Sequence, residues 1–178
     1  MNDIRQPRFW FLTSLVLLAA LSRLIPHPPN FAPIAALALF GGAEFARKRD
    51  AFLVPLAAMF LSDLVLGLHV FIPVIYATFA LIVGLGFYMR GRTTFSSVTG
   101  FSIAGAFLFY FVTNFAVWCC GIIYPLTPAG LEACYVAAIP FFWNTLTSDL
   151  FYAALLFGGV AVAEKRWPVL AQTSPAPA

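Results

Sequence analysis

The chain has 178 residues, 62% of them hydrophobic and 10% charged, with a formal net charge of +3. Soluble domains carry about 25% charged residues, so this composition excludes an ordinary soluble enzyme and points to a protein of the lipid bilayer. A chain this short holds one membrane domain and shows no Gly-x-x-x-x-Gly-Lys loop that would let it drive transport by itself. Its basic residues are explained by membrane topology and give no nucleic-acid function.

Apolar runs at 9–24, 31–45, 51–68, 71–89, 95–118 and 139–163 predict six transmembrane helices. The first follows Arg5 and Arg8 but meets no small-x-small cleavage site, so it is read as a retained span. With the N-terminus inside, nine basic residues fall on the cytoplasmic side: Arg5, Arg8, Arg47, Lys48, Arg49, Arg90, Arg92, Lys165 and Arg166. Only Arg23 falls outside, a bias that predicts both termini in the cytoplasm. The expected architecture is therefore all-α, a polytopic six-transmembrane-helix bundle over residues 1–167. The Pro- and Ala-rich tail, 168–178, is expected to be a disordered cytoplasmic extension.

After the first span, RLIPHPPNF at 23–31 is stiffened by Pro26, Pro28 and Pro29. Asn30 is placed to cap the second helix, with Pro33 in its first turn. The loop is either a rigid lip presenting Arg23, His27 and Asn30 to a ligand or simply a well-terminated connection. Toward the inner side, Glu44 and Lys48 stand four apart in the order that favours a helical pair.

The third span contains Asp63 and the sixth contains Asp149, each within Ser-Asp-Leu. An acid in hydrocarbon costs about 2.5 to 3.5 kcal/mol on insertion scales, and such residues pair or line a wet cavity. No lysine or arginine is expected at their depth. That leaves protonation, hydrogen bonds to Ser62, Asn114, Asn144 or Ser148, or a water-filled pocket. Asp63 lies roughly 21 Å along its helix from Arg49, in the outer half of the membrane. Pro55 and Pro140 stand at similar distances before the two motifs, which suggests an inverted repeat of three helices per half.

The fifth span repeats Thr99, Ser102, Tyr110, Thr113 and Asn114 on one face, and the sixth repeats Asn144, Thr145, Ser148, Asp149 and Tyr152. Such stripes either let membrane helices pack or line a site. An outward pocket would bring together Asn30, Asp63, Asn114, Trp118, Asn144 and Asp149. Between these spans, 119–144 reads as a long outer loop, its rings forming either a lid or the usual interfacial belt. Cys134 is a candidate for a disulfide with Cys119 or Cys120. The cysteine spacing is no zinc pattern and His27 and His69 sit in different loops, so no metal and no cofactor are expected.

Together, PHPPNFAPIAALALFGGA (26–43), PLAAMFLSDLVLG (55–67), TNFAVW (113–118), YPLTPAGLEACYVAAIPFFWNTLTSDL (124–150) and LFGG (156–159) resemble a family of small uncharacterised bacterial inner-membrane proteins. That family is in turn distantly similar to the substrate-binding S components of energy-coupling-factor vitamin transporters. The resemblance implies a six-helix bundle that binds a vitamin-like micronutrient near the outer face and partners a separate transmembrane and ATPase module. It also implies an Ala-x-x-x-Ala docking surface on the first helix; here Ala32 and Ala36 carry that spacing on the second.

The leading expectation is thus a substrate-binding transport protein without catalytic residues. One alternative is a proton- or cation-coupled carrier in which Asp63 and Asp149 titrate in turn. Another is an intramembrane aspartyl hydrolase, whose two acids would stand about 3 Å apart and share a proton.

Overall fold

The computed structural model describes residues 7–171; the calls on Arg5 and on 172–178 lie outside these. The described chain is helical: α1 (Pro7–Leu21), α2 (Ile34–Glu44), α3 (Lys48–Leu66), α4 (Ile72–Tyr88), α5 (Phe95–Cys119) and α6 (Pro128–Arg166), with short 3-10 turns at Ser22–Leu24 and Pro168–Leu170. Three stretches are long and apolar enough to cross a membrane: Pro7–Leu24, Phe95–Cys119 and Pro128–Arg166. This is the signature of a membrane protein.

The centre of the bundle is α2, which touches α1, α3, α4, α5 and α6. Every residue from Ala35 to Glu44 is buried. Its small residues allow this, because Ala and Gly let backbones approach closely where no water drives them together. Gly41 receives the Pro55 ring of α3, and Gly42 lies against Gly86 of α4. A Cβ on Gly42 would sit 2.1 Å from the Val83 carbonyl oxygen and 2.8 Å from the Gly86 Cα. Gly42→Ala is therefore expected to destabilise the fold by about 3 kcal/mol, the upper end of overpacking costs. Gly84→Ala, whose Cβ would meet nothing within 4 Å, is expected to be silent. Unfolding of the two purified variants in detergent checks the contrast.

At 11 residues, α2 is roughly 16 Å long, about half of a bilayer core of about 30 Å. Both of its ends are met by side chains from elsewhere in the chain. At the N-terminus, Asp149 Oδ1 of α6 accepts the Ala36 N–H at 3.0 Å, and Ser148 Oγ donates to the Ala32 carbonyl at 2.8 Å. At the C-terminus, Arg90 donates to the carbonyls of Gly42 (2.9 Å), Phe45 (2.7 Å) and Ala46 (3.3 Å). An acid at the positive end and a guanidinium at the negative end complement the helix dipole and satisfy terminal backbone groups.

Several expectations need correction. Asn30 does not cap α2: the residue at that position is Pro33, and Asn30 sits in a turn with φ 62°. The Phe31 N–H closes that turn on the Pro28 carbonyl at 3.0 Å, with Pro29 then Asn30 in the order a type II turn takes. The 119–144 loop is shorter than expected, because α6 starts at Pro128 after Thr127, whose hydroxyl accepts the Gly130 N–H at 3.1 Å. Pro140 stands inside this 39-residue helix. Glu44 and Lys48 belong to different helices; Glu44 instead pairs with Arg8, which also pairs with Glu164 and donates to the Leu170 carbonyl. That cluster ties α1, α2 and α6 together and holds Pro168–Leu170 in order, with Leu170 buried, past the expected domain end at 167.

Candidate functional site: a pocket at one end of the bundle

A pocket of about 550 Å³ lies at the end of the bundle where α1, α3 and α5 finish and α2, α4 and α6 begin. The 3-10 turn after α1 supplies Arg23, the proline-rich segment supplies His27, Asn30 and Ala32, and α2 supplies Ile34. Asp63 and Leu66 come from α3, and His69 and Phe71 from the connection to α4. Phe109, Tyr110, Thr113, Asn114 and Val117 line it from α5, with Ala138, Phe141, Phe142 and Thr145 from α6. Non-helical backbone inside a membrane domain is tolerated where it lines a cavity, and the segment before α2 lines this one.

Asp63 is paired. Its Oδ1 lies 2.7 Å from Arg23 Nη2, and its Oδ2 accepts the Tyr76 hydroxyl at 2.6 Å. Arg23 also donates to Ser62 Oγ and, at 3.3 Å, to the Met59 carbonyl. This overturns the expectation that no cation reaches that depth. The turn after α1 leads Arg23 back over the end of α3, and the two side chains are only 10% and 9% exposed. The signal was present in the sequence: the single basic residue assigned to the outer side lies on the same side as the acid that needs it. Tyr76 carried no such signal.

Of the six residues expected to gather, Asn30, Asp63 and Asn114 line the pocket. The other three are in its supports. Trp118 donates its indole N–H to the Pro125 carbonyl at 3.0 Å, pinning the α5–α6 connection. Asn144 donates to the Pro29 carbonyl at 2.9 Å, holding the proline-rich turn against α6. Asp149 is fully buried at the start of α2, and its Oδ2 has no hydrogen-bond partner. Among the described residues no hydrogen bond joins the two aspartates: Asp63 is held by Arg23 and Tyr76, and Asp149 by the Ala36 N–H.

In the aromatic part of the wall, Phe141 and Phe142 belong to the rings read as either a lid or a belt, whereas Phe71 and Phe109 carry no such expectation. Phe71, Phe109, Phe141 and Phe142 belong to the 20 phenylalanines of a lipid-facing sequence, and nothing local distinguishes the inward ones. All three cysteines are free: Cys119 and Cys120 are exposed, and buried Cys134 donates to the Asn114 carbonyl at 3.4 Å. Among the described residues no three His, Cys, Asp or Glu side chains group as metal ligands. Ala32 and Ala36, the pair with docking spacing, are both buried and offer no surface to a partner.

The chain belongs to a family of unknown function, DUF6580, whose profile matches residues 3–170. Neither a curated protein nor a solved structure matches it. Membership in an uncharacterised family agrees with the first resemblance drawn from the motifs; no link to S components emerges from the comparisons.

Proposed function

We propose that this family member is an integral membrane binding protein for uptake of a small micronutrient, with the pocket turned to the outside of a bacterial inner membrane. The carrying observation is the pocket itself. Its volume of about 550 Å³ falls within the range of roughly 300–1,000 Å³ typical of small-molecule sites, and it combines apolar walls with a few fixed polar groups. In this reading the protein works as S components do, and a separate transmembrane and ATPase module supplies the energy. Buried Ala32 and Ala36 direct any such docking to another face.

Deleting the gene should lower uptake of one labelled compound in a vitamin panel by at least ten-fold, and a plasmid copy should restore it. Unchanged uptake across the panel overturns the proposal. The six-span topology with both termini in the cytoplasm makes its own prediction. Cys119 and Cys120 are exposed at the pocket end of α5, so a membrane-impermeant maleimide should label them in intact spheroplasts. Labelling only after lysis would invert the orientation.

One observation favours the carrier reading as an alternative. The unpartnered, buried Oδ2 of Asp149 is a place where a proton could reside. Substitutions at Asp149 separate the two, as argued in the Discussion.

A further inference from the structure

Building on the binding reading, we infer that the ligand is an uncharged, planar heterocycle with an amide-like edge, read by Asn30 and Asn114 and packed between phenylalanine rings. The first ground is charge. Among the described residues, Arg23 and Asp63 are the only Lys, Arg, Asp or Glu side chains lining the pocket, and each is consumed by the other. Tyr76 closes the second carboxylate oxygen, and Ser62 with the Met59 carbonyl takes the other guanidinium nitrogen. Apart from the His27 and His69 imidazoles, an ionised ligand would find no unpaired ionisable side chain in this lining. It would have to pull the pair apart and strand one member in a poorly hydrated wall, which costs more than a new pair returns.

The second ground is the hydrogen-bonding capacity left over. The exposed Asn30 carboxamide lines the pocket and hydrogen-bonds to none of the described residues. Asn114 spends one N–H on the Tyr110 carbonyl at 2.8 Å and keeps its Oδ1 and second N–H. A carboxamide offers donor and acceptor side by side, the complement of an amide or lactam edge. The third ground is shape. Phe109 of α5 and Phe141 and Phe142 of α6 face the pocket, a surface on which a flat ring gains more than an aliphatic chain does.

The test uses detergent-purified full-length protein at pH 8, where ordinary imidazole is neutral. Calorimetric titrations compare one ring in three charge states, nicotinamide, nicotinate and N1-methylnicotinamide, with lumichrome as a larger neutral probe. A neutral probe should bind at least ten-fold more tightly than either charged one. Asp63→Asn, which frees the Arg23 cation, should raise nicotinate affinity at least ten-fold. Asn30→Ala with Asn114→Ala should weaken the neutral probe at least ten-fold without changing the charge ranking. If Asp63→Asn does not fold, the wild-type ranking decides alone. Equal or tighter binding of a charged probe to the wild type overturns this inference and leaves the binding reading standing. Binding of no probe to any folded form overturns both.

Discussion

Asp149→Ala is expected to lower the unfolding free energy by about 2–4 kcal/mol, and Asp149→Asn to leave it within about 1 kcal/mol. The alanine variant removes the acceptor at the start of α2, orphaning the Ala36 N–H in an environment with no water to replace it. A lost helix cap costs about 0.5–2 kcal/mol, and a stranded buried amide about 1–3. Asparagine keeps an oxygen for Ala36 and puts an uncharged amide where the partnerless Oδ2 now lies. It gives up part of the charge–dipole attraction and is relieved of the burial of a charge, and these effects oppose each other. Thermal unfolding in detergent measures stability, and uptake in cells measures function. A folded Asp149→Asn that has lost all uptake would show that the acid itself is needed, as the proton carrier requires. Retained uptake identifies Asp149 as a cap.

Arg23→Ala should cost about 3 kcal/mol, and Asp63→Ala a similar amount. The double variant should cost clearly less than the sum. Breaking a buried pair from one side leaves an uncompensated charge, which typically costs about 3–5 kcal/mol. Removing both partners removes that charge as well. A double-mutant cycle gives the coupling directly. Strict additivity would mean that Arg23 and Asp63 contribute independently and that their pairing is incidental. This cycle also probes why an acid persists in an apolar helix: Asp63 is stabilised by a cation 40 positions away and a tyrosine on the next helix.

Local signals carried most of the fold and tertiary signals did not. Apolar runs located α3, α4 and α5 to within a few residues, because hydropathy and Gly or Pro punctuation are properties of neighbours. They misplaced the start of α2, since its N-terminal N–H groups are met by Asp149, 113 residues from Ala36, and the nearby Asn30 takes a turn instead. They also missed the first part of α6. Glu132, Pro128 and Pro140 lower the hydropathy there, but Pro128 at the first turn behind a Thr127 cap is a helix start. At the pocket, Asn30, Asp63 and Asn114 stood out because polar groups in an apolar run are conspicuous. Asn144, Trp118 and Asp149 stood out equally, yet each spends its polarity holding a wall. Chemistry alone could not separate the groups, because both types are polar residues set in apolar surroundings. The twin Ser-Asp-Leu motifs likewise differ in role, one in an ion pair at the pocket and one capping a helix, so the repeat in sequence is not matched by a repeat in chemistry.

The brevity of the central helix has a consequence for the guest. Because α2 begins only at Ile34, the space beyond its start is left to the proline-rich segment whose His27, Asn30 and Ala32 line the pocket. The hollow is the missing upper storey of that helix. One further helical turn at its start would add about 5.4 Å and occupy the chamber. Moving the same start toward the opposite end would deepen it, so among proteins sharing this architecture the register of a single proline should act as the dial that sets how large a molecule is admitted.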